Sequence, residues 1–141
     1  MLLTKESDYG ARIIRALFDG TRKTVENIST AEHIPHQYAY KILKKLQQAK
    51  LVISVKGREG GYLLAKSANE ITLYDIVTAI DKNAFINECL RESNNCPLKK
   101  PNTEDVCAMH VEFIRLQGIL ENEMKKRSMQ EILINPNQKE C

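Results

Sequence analysis

Apolar residues along the first half of the chain follow a helical period, switch to β-branched runs, and then return to helix. In KESDYGARIIRALF (5–18), Tyr9, Ile13, Ala16 and Leu17 fall at helical spacing, with Arg12 and Arg15 on the other side. Ser7 or Asp8 is placed to favour the start of that helix, and Asp19-Gly20 ends it. Thr24 caps a second short helix, VENISTAEH, with Asn27 where Glu or Gln closes a capping box. Ile34-Pro35 breaks the chain, and proline suits the first turn of the next helix. From His36 to about Lys50, Ala39, Ile42, Leu43 and Leu46 face inward. His36, Gln37, Tyr40, Lys41 and Lys44 face outward. LVISV (51–55) predicts a strand, KGREGG (56–61) a basic glycine-rich hairpin tip, and YLLAK (62–66) the returning strand.

Helical spacing resumes where Ile71-Thr72 opens LYDIVTAID (73–81). A polar, proline-bearing loop follows. From about Glu104 to Arg127 the pattern predicts one long helix. Met109, Phe113, Leu116, Leu120 and Met124 recur at alternating four- and three-residue steps and make a narrow apolar seam. Such a seam packs on its own domain or pairs with a second copy; a length of roughly 35 Å at 1.5 Å per residue favours pairing. MQEILI (129–134) is a short apolar segment that can dock back. The predicted fold is mainly α with a small β-hairpin wing. Its parts are a winged helix-turn-helix domain (1–81), a cysteine-bearing loop (82–103), a dimerisation helix with docking segment (104–134) and a disordered tail (135–141) that carries Cys141.

Two short helices joined by a tight turn form a helix-turn-helix, and a hairpin directly after them forms a wing. In that arrangement the second helix enters the major groove of duplex DNA, while the wing follows the backbone toward the minor groove. His36, Gln37, Tyr40 and Lys41 are the candidates for base edges. Lys44, Lys56 and Arg58 are the candidates for phosphates, and glycines let the wing's main chain approach them. Charge agrees with this polarity. The net charge of the 141 residues is only +3, but residues 1–66 hold 12 basic and 6 acidic residues, and residues 67–141 hold 9 and 12. A basic first half points to a polyanionic partner.

Composition excludes other classes. A hydrophobic fraction of 43% fills a core, and a charged fraction of 28% argues against a membrane protein. No apolar run reaches the roughly 18–20 residues that span a bilayer. MLLTKESDYG turns polar too soon for a signal peptide, so a cytoplasmic location is expected. No nucleophile–base pair and no phosphate-binding loop is visible, so an enzyme is not expected. A winged helix used only to bind protein is the alternative from a different class.

Three of the four cysteines lie within CLRESNNCPLKKPNTEDVCAMH (89–110). Cys89, Cys96 and Cys107 are separated by six and ten residues. In a reducing compartment, clustered thiols point to metal or redox chemistry rather than to structural disulfides. Three soft thiolates in a loop suit an iron–sulfur cluster, or zinc, by ligand type; a thiol redox switch is the metal-free alternative. Pro97 and Pro101 stiffen the loop.

The stretches LTKESDYGARIIRAL, YAYKILKKLQQAKLVISVKGREGGYLLAK and ITLYDIVTAID, with cysteines between the last of them and a long C-terminal helix, resemble the Rrf2 family of bacterial transcription regulators. The likeness covers about residues 1–134, and the GGY of the wing is its most specific part. The resemblance implies a homodimer with crossing long helices, a palindromic operator and, in many members, a two-iron or four-iron cluster on three cysteines of this loop. It also implies candidates for a fourth ligand. Asp8 of the SDYG motif comes first, as in the nitric-oxide-sensing type; His110 and His33 are the alternatives. The metal-free alternative within the family is the cysteine-metabolism type, which responds through thiol oxidation or a partner protein. Two departures stand out: Glu59 places a negative charge in the wing, and Pro35 replaces the family's usual serine ahead of the recognition helix. The implied function is a DNA-binding regulator whose operator affinity is switched by the cluster.

Overall fold

The structure, a computed structural model, describes residues 3–91, Cys96, Leu98 and 106–135. Helix α1 spans Lys5–Ala16. Its N-cap is Thr4, with Ser7 and Asp8 in the first turn as expected: the Ser7 amide donates to Thr4 Oγ1 (3.2 Å) and the Thr4 amide donates to Ser7 Oγ (2.7 Å). Ser7 therefore closes the capping box from its far end. Glu6 and Asp8 sit in the first turn, where the helix dipole favours carboxylates. Helix α2 (Val25–Glu32) is capped by Thr24 with Asn27 reciprocating, as the sequence predicts. It ends at His33 in the left-handed conformation (φ 52°). Helix α3 (His36–Gln48) follows Pro35 directly.

Strands β1 (Val52–Val55) and β2 (Gly61–Leu64) pair antiparallel, with Val52 opposite Leu64 and Val55 opposite Gly61. The connection between α1 and α2 adds one rung to this hairpin. The Lys23 amide donates to the Tyr62 carbonyl (3.1 Å), and the Tyr62 amide donates to the Lys23 carbonyl (2.8 Å). Gly61 makes that approach possible. Its φ is +154°, and a Cβ there would lie 2.7 Å from the Lys23 carbonyl oxygen.

Helix α4 (Leu73–Ile80) is capped by Thr72 with Asp75. Gly10 lets α1 pass close beneath it, since a Cβ on Gly10 would meet Ile76 Cγ2 at 2.9 Å. The long helix α5 spans Ala108–Lys126, and α6 spans Met129–Ile134. The sequence places the start of α5 near Glu104, but Val106 and Cys107 are not helical, and Cys107 is the N-cap residue. Residues 99–105, with most of the cysteine loop, Pro97 and Pro101, lie outside the described residues, as does the tail from 136 onward with Cys141.

One apolar core joins Ile13, Ile14 and Leu17 of α1 to Ile28, Ile34, the inward face of α3 and Ile76 of α4. Ala39, Ile42, Leu43 and Leu46 are all fully buried, the face the sequence pattern assigns. Met129 of α6 enters the same core. Its amide donates to the Ile71 carbonyl (2.7 Å), and Thr72 and Ser128 form an isolated antiparallel bridge. The chain thus returns to its winged domain after α5. A smaller cluster, Val77 and Ala84 with Leu73, Ile86 and Met124, holds the C-terminal end of α5 against α4. Among the described residues no helix is long and apolar enough to cross a membrane.

Candidate nucleic-acid interface and thiol segment

Burial of four apolar residues along one side of α3 turns the opposite side to solvent. His36, Gln37, Tyr40, Lys41 and Lys44 are all exposed there. Gln48, exposed one turn beyond Lys44, extends the same face, a position that the helical spacing of His36–Lys44 also implies. Pro35 makes no side-chain cap, so the first amides of α3 have no side-chain acceptor, a state that suits a phosphate oxygen. Gln47 Nε2 donates to Ser54 Oγ (3.1 Å) and ties the helix to the wing.

The lysines of α3 are not equivalent. Lys41 Nζ donates to Glu6 Oε1 (2.6 Å), and Lys45 Nζ donates to Glu6 Oε2 (2.8 Å) and to the Ile80 carbonyl (3.0 Å). The hydrogen bond from Lys41, then that from Lys45, holds the Glu6 carboxyl below its ordinary value, and the same contact raises Lys41. Lys44 is exposed on the outward face. Tyr38 is also exposed, and it packs edge-on to Tyr9 at 6.0 Å between ring centroids.

At the wing tip, Lys56, Arg58 and Glu59 are exposed. The negative charge that Glu59 brings is met by Arg22, whose Nη2 donates to Glu59 Oε2 (3.2 Å). Arg22 comes from the connection that adds its rung to the hairpin. No local signal pairs residues so far apart in sequence, so this contact was not readable beforehand.

The thiols lie on the chain between α4 and α5. Cys89 sits half-buried in a single 3₁₀ turn (Glu88–Leu90), with its amide donating to Asn87 Oδ1 (3.0 Å). The chain leading to it is held by the buried Gln117 of α5. Gln117 Oε1 accepts from the Ile86 amide (2.9 Å), and Nε2 donates to the Ala84 carbonyl (3.1 Å). Cys96 is half-buried and Cys107 exposed; all three are free thiols. Cys107 is the N-cap residue of α5, and the half-buried His110 lies in its first turn. Asp8 is exposed and ion-paired to Arg12 (2.9 Å), whose other nitrogen donates to the Glu32 carbonyl (3.3 Å). His33 is exposed at the end of α2. Among the described residues no three Cys, His, Asp or Glu side chains are gathered closely enough to hold a metal ion. The three thiols therefore suit a cluster by donor chemistry, but in this conformation they are not assembled into a ligand set.

The Rrf2 model, described as an iron-dependent transcriptional regulator, matches residues 3–135. Protein aau3 of Rhizobium meliloti is 34% identical over 101 residues, which cover 70% of this chain and 66% of that relative. The chain thus spans about two thirds of that relative's length. The HTH-type transcriptional regulator NsrR of Oceanobacillus iheyensis is 26% identical over 137 residues, with 87% and 92% covered. Among solved structures, IscR of T. potens superposes with a TM-score of 0.73 at 18% identity, over 95% of this chain and 87% of that one. CymR, the global cysteine regulator of B. subtilis, gives 0.70 at 18%, over 95% and 97%. These two likenesses establish the winged-helix fold. With the family model spanning all of the described residues, the chain belongs to the Rrf2 family of DNA-binding transcriptional regulators, and not to a family of enzymes.

Proposed function

We propose that this chain binds a palindromic duplex operator as a homodimer, with α3 in the major groove and the wing along the backbone. The observation that carries this reading is the exposed polar face of α3 standing beside a basic wing, both fixed on one buried core. His36, Gln37, Tyr40 and Lys41 read base edges; Lys44, Lys56 and Arg58 meet phosphates. The exposed apolar residues of α5 support pairing: of the seam, Met109 is 57% and Leu120 40% exposed, with Val111, Ile114 and Ile119 exposed beside them, while Met124 packs on α4.

The thiol segment is the sensing element in this reading. Cys89, Cys96 and Cys107 would hold a two-iron or four-iron cluster, with Asp8 as fourth ligand ahead of His110 and His33. The soft donor set and the family's iron-dependent description support it. Such a group, when bound, supplies iron that reacts with nitric oxide or oxygen. The chain's own part is to order the segment between α4 and α5, which Gln117 anchors at one end. Cluster-free regulation through thiol oxidation is the second reading, favoured by the exposure of Cys107 and by the thiols standing unassembled.

Anaerobic isolation followed by iron and acid-labile sulfide analysis separates the two. Iron with sulfide, lost in a Cys89→Ser variant, supports the cluster; a colourless, iron-free protein that still binds DNA supports the second reading. For the DNA interface, Arg58→Ala weakens binding to all sequences and lowers the salt slope by about one contact. Gln37→Ala relaxes preference at one base by roughly 1–3 kcal/mol. Binding indifferent to salt would instead indicate a protein-interaction module.

A further inference from the structure

The contact between α1 and α3 has a feature that packing does not explain. One carboxylate, Glu6, takes two ammonium groups from the recognition helix, one on each oxygen. Lys45 has a structural reason to be there: it also donates to the Ile80 carbonyl and so links α3 to the end of α4. Lys41 has no such second tie among the described residues. Its side chain is 54% exposed, and it belongs to the outward face of α3.

We propose that Glu6 is a specificity-determining residue, an internal stand-in for a DNA phosphate that keeps Lys41 out of sequence-independent binding. This inference rests on the reading of α3 as the recognition helix. A lysine drawn to any phosphate adds affinity without discrimination, because each neutralised phosphate releases a counterion whatever the bases are. A carboxylate 2.6 Å from that lysine opposes this in two ways. It occupies the ammonium, and it places a negative charge where a phosphate would have to come. Glu6 holds its position firmly, since it lies in the first turn of a capped helix and is only 28% exposed. Non-specific affinity falls by one contact, whereas a bound operator that places an acceptor in reach of Lys41 can recover it.

The test uses the full-length protein and a fluorescent mixed-sequence duplex of about 30 base pairs, titrated across a salt series so that the slope counts contacts. Glu6→Gln removes the charge and keeps the shape. It is expected to steepen the slope by about 0.9 and to tighten binding about eight-fold at 0.1 M salt, the factor that one released counterion gives. Lys41→Gln alone should lower the mixed-sequence slope by less than one contact, and adding it to Glu6→Gln should abolish the gain. A Glu6→Gln protein that binds no tighter, or a gain that survives loss of Lys41, overturns the inference. So does a Lys41→Gln protein that loses a full contact by itself; this arm does not depend on the stability of the Glu6 variant. Failure of the underlying reading looks different: the unaltered protein would then show no salt-dependent affinity for the duplex at all.

Discussion

The winged domain and the segment from Asn87 through the first turns of α5 are built on opposite plans. In the winged domain every helix from α1 to α4 except α3 carries a reciprocal side-chain cap, and the four inward residues of α3 are fully buried. Beyond Ile86 the packing thins. The described structure there is one 3₁₀ turn, an exposed thiol and a helix whose start has no side-chain cap. Met109, Val111 and Ile114 remain exposed on the first turns of that helix. One region is finished by its own chain. The other leaves apolar surface and three free thiols among the described residues.

The sharpest way to break this contrast is to remove equal volumes from each part. Leu43→Ala, inside the winged core, should cost about 2–5 kcal/mol in denaturant unfolding. Leu120→Ala should leave that unfolding within about 0.5 kcal/mol when measured on dilute, dissociated protein, while weakening self-association in sedimentation. Equal losses at both positions would erase the distinction. A smaller effect probes the joint between wing and helix. Gly61→Ala forces a Cβ against the Lys23 carbonyl and should cost about 1–3 kcal/mol, with loss of DNA affinity as the wing tilts.

The smallest effect concerns acid. Lys41 and Lys45 hold the Glu6 carboxyl below its ordinary value of 4.5, so the folded state binds that proton less readily than the unfolded chain. Its contribution to stability is complete above pH 4.5 and is lost as the pH falls through the lower, folded-state value. Glu6→Gln should flatten this part of the acid limb in a urea-midpoint series; an unchanged limb would show that the pair adds nothing.

Most of the winged domain was legible because its rules are local. Thr24 with Asn27, Pro35 before a helix, and the burial of Ala39, Ile42, Leu43 and Leu46 follow from spacing alone. The start of α1 shows where such rules stop. Thr4 and Ser7 are both good caps, and only the reciprocal bond shows which residue stands outside the helix. The onset of α5 was placed too early because Glu104 to Cys107 suits a helix as readily as a loop. What spacing cannot show is contact across elements. Glu6 meeting Lys41 and Arg22 meeting Glu59 arise only when the core fixes the helices side by side. The thiols were legible as a chemical set, but not as a geometry, because their separation is spanned by a loop with no period to constrain it.

The rung between Thr72 and Ser128 makes a ring of everything from α4 through α5. Gathering sulfurs inside the ring then closes only short arcs, and closure entropy grows slowly with arc length. A tug anywhere on that ring is also felt at its clasp, one residue from the start of α4 and beside the buried core that carries the groove-reading helix.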